Sequence, residues 1–212
     1  MADHVYDYTQ YDDIEVRKVS GGWRLIDVWT GSEGLKIGIY IRGDEHSSYD
    51  GPKEYAFVNK GTDSESDWVN NAQQLYGSST DMQESIEKAK YFVKHWKHEV
   101  TFIGHSKGGA EAAANAVATN KNAIIFNPAT VNLEAYRLDS SNYSASMTAF
   151  IVKGDALNTL EGWFSEPIDK VVYLPQQYGG HWYEGWQTSN VDRINNHFMD
   201  AVIAALKEVG YW

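Results

Sequence analysis

Residues 99–109 read EVTFIGHSKGG, and the chain runs on as AEAAANAVATN to residue 120. A short apolar run, of strand length, stops at Gly104. An alanine-rich segment with high helix propensity begins almost at once. Between them Gly104-His105-Ser106-Lys107-Gly108 matches G-x-S-x-G. The spacing has a mechanical reason. A serine in so sharp a strand-to-helix turn takes an unfavourable φ. Side chains two residues before and after it would run into the neighbouring strand and helix, so glycine is needed at both places. The helix starts beneath the serine and turns its free N–H groups and positive end toward it. The bland alternative is a two-glycine turn with an exposed serine. An apolar strand before the motif and a helix former after it favour a corner that presents Ser106.

The same alternation of short apolar strands and helices extends outward from this corner. DMQESIEKAKYFVKHWK before it reads as a helix with Ile86, Ala89, Phe92, Val93 and Trp96 on one face. NAIIFN, MTAFIVKGD and KVVYLP after it read as buried strands. VDRINNHFMDAVIAALKEVG reads as one closing helix, with Ile194, Phe198, Ala201, Val202 and Leu206 on one side. Upstream, WRLIDVWT, LKIGIYIR and EYAFVNK read as strands, and SDWVNNAQQLYG as a further helix. Continuous apolar strands of this kind suit a parallel sheet covered on both faces. The N-terminal strands read as an antiparallel extension. The fold class is α/β, and residues 1–212 form a single domain.

Composition narrows the function. The chain has 212 residues, 42% hydrophobic and 14% aromatic, which is enough for a sizeable core. It has no cysteine, so disulfides, thiolate zinc sites and a cysteine nucleophile drop out together. No apolar run approaches the roughly 20 residues that span a bilayer. MADHVYDYTQYDD is polar and acidic, unlike a secretory signal, so the default location is cytoplasmic. A net charge of −11 repels nucleic acid and anionic lipid headgroups at long range. His95 and His98 share a helix, but no third ligand has sensible spacing. Neither a metal nor another cofactor is expected.

A serine nucleophile needs a base, and the base needs an orienting carboxylate. Asp155 follows the strand MTAFIVK, at the carboxyl edge where parallel sheets place their sites. Glu161, Glu166 and Asp169 are less well placed. Two histidines come later. His197 stands where a loop meets the closing helix and can swing over the site, whereas His181 lies in an aromatic loop. His105 is read as a packing or hydrogen-bonding residue, its side chain turned away from Ser106. The aromatic stretches Gly162-Trp163-Phe164 and His181–Trp186 are candidate walls of a pocket.

Four ordered blocks resemble one family. FIGHSKGG with its alanine-rich helix, YAFVNKGTDSESDWVNNAQQ, IVKGDALN and NHFMDAV together look like the class 3 (triacylglycerol) lipase-like serine hydrolases of the α/β-hydrolase superfamily. The resemblance spans about residues 20–205. It implies an α/β-hydrolase fold and a carboxylic-ester hydrolase acting through an acyl-enzyme: a lipase, an esterase or a phospholipase. It implies Ser106 as nucleophile, Asp155 as orienting acid and His197 as general base. It also implies Lys107, through its backbone N–H, and Thr62 as the oxyanion hole. Where many relatives have leucine, this chain has Lys107, a residue placed to alter the substrate mouth. Residues 63–80 are short and polar where larger relatives carry an apolar lid. The expected partner is a small-molecule or lipid ester, with at most transient membrane or micelle contact and no nucleic acid. The readings from other classes are a binding protein on a hydrolase scaffold, and an acyltransferase using the same nucleophile.

Overall fold

Five of the apolar runs become neighbours in chain order. In the computed structural model, which describes residues 1–7, 18–43, 53–61, 79–96, 98–157, 168–179 and 189–211, they are β4 (Glu54–Asn59), β5 (Glu99–His105), β6 (Asn122–Phe126), β7 (Met147–Val152) and β8 (Lys170–Leu174). All four pairings among them are parallel. Ahead of them β1 (Lys18–Val19), β2 (Trp23–Thr30) and β3 (Lys36–Arg42) pair antiparallel, and β3 joins β4 antiparallel. The eight strands follow one another in sequence order across one sheet.

Alternation along the strands sorts side chains to two cores. Phe57, Phe102 and Ile125 point to one face. There they meet α1 (Thr80–His95), through Ile86, Ala89 and Phe92, and α2 (Lys107–Thr119), through its alanines. Phe57 packs edge-to-face on Phe92 and Phe102, with centroids 5.7 and 5.2 Å apart. Such aromatic pairs add about 0.5–1.5 kcal/mol each beyond their buried area. Ala56, Val58 and Ile103 point the other way, onto Ala2 and Val5 of the N-terminal segment. The same face further along holds Val152 and Leu174 under α4 (Met199–Glu208). Helices thus cover both faces of a mostly parallel sheet, which is the α/β-hydrolase fold.

The closing segment departs from its expected form. It is not one helix: α3 (Asn190–His197) and α4 are separated at Phe198, whose φ of −67° and ψ of 158° are extended. The break frees the last carbonyls of α3, and donors from elsewhere in the fold take them up. Asn127 Nδ2 donates to the Asn196 and His197 carbonyls at 3.0 Å each, and His105 Nε2 lies 2.7 Å from the His197 carbonyl. At the other end of α3 a capping box fixes where the helix begins, with the Asp192 N–H donating to Ser189 Oγ at 3.1 Å. The expected helix over 66–77 and residues 63–78 of the polar segment lie outside the described residues.

Candidate active site

The carboxyl ends of β4, β5, β6 and β7 lie along one edge of the sheet. They carry Gly61, Ser106, Asn127 and Asp155 just beyond the last strand residues. Ser106 has φ 58° and ψ −125°, a conformation that costs a non-glycine residue about 1–3 kcal/mol. Its backbone is held by several bonds at once. Its N–H donates to the Phe126 carbonyl at 3.1 Å. Its carbonyl accepts from Gly109 at 3.0 Å, Ala110 at 3.2 Å and Ala129 at 3.0 Å. The glycine requirement is visible too. A methyl on Gly104 would overlap the Gly108 carbonyl, and one on Gly108 would overlap the Asn59 carbonyl. Both obstacles are backbone, so neither can turn aside.

Asp155 and His197 meet. His197 Nδ1 stands 2.5 Å from Asp155 Oδ1, with both side chains buried. Asp155 is set by a turn in which its N–H donates to the Val152 carbonyl at 3.1 Å. The next N–H, of Ala156, donates to the Arg193 carbonyl at 3.2 Å and ties this turn to α3. His197 stands at the end of α3, not at the start of a helix, and only 1% of it is exposed, so it does not sit at a rim. The freed carbonyls at the helix break explain its depth, because Asn127 and His105 draw that corner onto the sheet edge. The His105 and His197 rings lie with centroids 5.0 Å apart.

His105 itself points to the face opposite α2. Burial first, and the neighbouring His197 charge second, lower its pKa to about 3, so the ring is neutral.

The Lys107 side chain turns toward α1. Its ammonium pairs with the buried carboxylate of Asp81 on α1 and lies 3.8 Å from Glu111 Oε1, one turn on in α2. Two carboxylates withdrawn from water hold the lysine inward. Behind them Asn59, the last residue of β4, donates to Ser85 Oγ at 2.7 Å and to Glu111 Oε2 at 2.8 Å. Asn115 Nδ2 donates to Asn59 Oδ1 at 3.0 Å. This cluster braces the end of β4 against the first turn of α2, the two pieces that flank the serine. Burial is the largest influence on Glu111 and outweighs Lys107 and Asn59, raising its pKa to about 7.

Thr62, His181, Glu161, Glu166 and both aromatic stretches lie outside the described residues. Gly61, next to Thr62, lies against the elbow: a methyl there would stand 2.8 Å from the His105 carbonyl oxygen. Asp169 precedes β8, at the opposite edge of the sheet, where it accepts from Ser146 Oγ at 3.1 Å. Two residues that sequence reading passes over belong to the constellation. Asn127 donates to the α3 carbonyls while its Oδ1 accepts from the Val152 N–H at 2.9 Å. Tyr6 places its hydroxyl between Gly61 and His105. The one local cue to Asn127 is a polar residue directly after a buried strand.

An extracellular phospholipase A1 of Serratia liquefaciens is 31% identical over 91 residues, or 42% of this chain and 28% of that protein. The chain therefore matches well under a third of that relative's length. Among solved structures, the native lipase–propeptide complex of Rhizomucor miehei is 16% identical, covering 72% of this chain and 57% of that one, with a TM-score of 0.49. A mutant form of MDLA from Penicillium cyclopium is 15% identical over 90% of this chain and 80% of that one, with a TM-score of 0.48. Residues 1–178 match the phospholipase-like family described as the Tle-like phospholipase domain. With most of its length inside that match, the chain belongs to the Tle-like phospholipase domain family.

Proposed function

We propose that the protein is a serine hydrolase of lipid carboxylic esters, working through an acyl-enzyme on Ser106. The observation that carries this reading is the 2.5 Å contact of His197 Nδ1 with Asp155, supported by a serine at φ 58° on the same carboxyl edge of the sheet. In the proposed reaction His197 donates from Nδ1 to Asp155, which leaves Nε2 to take the Ser106 proton. Ser106 Oγ attacks the ester carbonyl, and the C–O bond to the alcohol breaks as His197 returns the proton to that oxygen. Water then repeats the sequence and frees the acid. The N–H of Lys107, first in α2, and Thr62 are the proposed oxyanion donors. Acid clamping of the Lys107 side chain keeps that backbone donor in place.

A phospholipid or other acylglycerol ester is the proposed substrate class, since the family is phospholipase-like and the Serratia relative is by name a phospholipase A1. That relative is also extracellular by name, which weighs against a plainly cytoplasmic place for this chain. No helix among the described residues is long and apolar enough to cross a membrane, so contact with lipid is proposed to be transient. The test is intact mass after exposure to a fluorophosphonate. One adduct on the wild type and none on Ser106→Ala is expected, with ester turnover in that variant lower by ~10⁴-fold or more. Unchanged turnover in Ser106→Ala sinks the reading.

A further inference from the structure

The first residues of the chain approach the site from the face opposite α2. Val5 is buried in the core there, and His4 Nδ1 lies 2.9 Å from the Tyr40 hydroxyl. The Tyr6 carbonyl accepts from Lys36 Nζ at 3.1 Å, and Lys60 Nζ sits 5.5 Å from the centre of the Tyr6 ring. These contacts leave the Tyr6 hydroxyl between two parts of the site. It accepts from the Gly61 N–H at 3.1 Å, and it lies 3.4 Å from His105 Nδ1.

Every direction in this chain of bonds is forced. The His197 carbonyl can only accept, so His105 Nε2 carries the ring proton in their 2.7 Å contact. A neutral, buried His105 then presents a lone pair at Nδ1. The Tyr6 O–H must donate to it, because that nitrogen has no proton to give. Gly61 can only donate, and it donates to the Tyr6 oxygen. The bonds run one way: Gly61 N–H to Tyr6 O–H, to His105, to the His197 carbonyl. Three separate parts of the site are joined: the segment leading to Thr62, the elbow, and the backbone of the histidine. The Gly61 N–H is committed to Tyr6, which fixes the Lys60–Gly61 peptide plane beside the elbow.

We propose that Tyr6 is a positioning residue for acyl transfer, its hydroxyl holding the oxyanion segment at Gly61 in register with His105 and His197. The proposal rests on reading Ser106 as nucleophile and His197 as base. Tyr6→Phe keeps the ring packed and removes only the hydroxyl. His105→Gln sets an amide nitrogen where Nε2 was, keeping a donor for His197 but giving Tyr6 no acceptor at Nδ1.

The experiment follows fluorophosphonate labelling rate by intact mass, alongside thermal melting, for wild type, both single variants and the double variant. Each single variant is expected to label about 10-fold more slowly, the effect of one neutral hydrogen bond felt in the transition state. The double variant is expected to be no slower than the slower single one, because both break the same chain. With a short-chain ester, kcat falls while KM stays within about twofold, a split that mere loosening of the N-terminal segment does not produce. A Tyr6→Phe rate equal to wild type overturns the proposal, as does a double variant whose loss is the product of the two. If Tyr6→Phe does not fold, an unchanged rate in His105→Gln overturns it alone. A wild type that takes no label defeats the Ser106 reading, and this proposal with it.

Discussion

Glu111→Gln is expected to change how stability depends on pH. Glu111 is 1% exposed, and burial raises its pKa from 4.5 to about 7. A carboxyl whose folded pKa lies above its unfolded value holds its proton more tightly when folded. Its stabilising contribution is therefore complete below the unfolded pKa and is lost as pH rises through the folded one. The difference from 4.5 to about 7, at about 1.4 kcal/mol per unit, amounts to about 3 kcal/mol in all. About 2 kcal/mol of it falls between pH 5 and pH 8. Glutamine keeps an oxygen for the Asn59 amide, which Glu111 Oε2 now receives at 2.8 Å, and does not titrate. The assay is urea unfolding of both proteins at several pH values across that window. Wild type should lose stability relative to Glu111→Gln as pH rises. Two curves that stay parallel refute the argument, and would mean that Lys107, 3.8 Å away, fully balances the burial.

Other perturbations reach the remaining parts of the site. Asp155→Asn keeps the shape but misdirects the His197 ring, so kcat on a soluble ester should fall ~10⁴-fold while circular dichroism is unchanged. Asn127→Ala removes the donor to two α3 carbonyls and the acceptor of the Val152 N–H. It should cost about 2–4 kcal/mol in urea unfolding, because those groups stay buried. With a net charge of −11, turnover on anionic vesicles should be slower than on zwitterionic ones, and added salt should narrow the gap. Equal rates at low salt would count against the charge argument.

Much of the architecture can be read from the chain because it repeats. Apolar runs at 99–104, 122–127 and 147–152 have strand length and alternate with helical patterns, so a parallel sheet follows from them. Ser106 announces itself through two glycines whose absent side chains are required by backbone packing. Asp155 and His197 stand out as the right residue types after the right elements, and their side chains lie 2.5 Å apart. What sequence does not reveal is set by partners far along the chain. The apolar stripe from Ile194 to Leu206 continues through Phe198, so periodicity carries no sign of the break. The donors that take up the freed carbonyls come from residues 105 and 127. Lys107 reads as a surface cation because its anchor, Asp81, lies on another helix. Tyr6 sits in a stretch whose composition says only acidic and polar. Its partner His105 is 99 residues away.

The candidate site's parts lie far apart along the chain, and that gives it an order of assembly. Tyr6 is made before the elbow at Ser106, and His197 comes only after it. At the usual pace of synthesis, roughly 5–20 residues per second, the 91 positions between Ser106 and His197 take about 5–20 s to appear. During that interval the nascent chain carries a serine corner without the base proposed for it. If Ser106 and His197 have the roles proposed for them, the serine is silent until α3 is made, and a product truncated before α3 is expected to be inert, however well its sheet has formed.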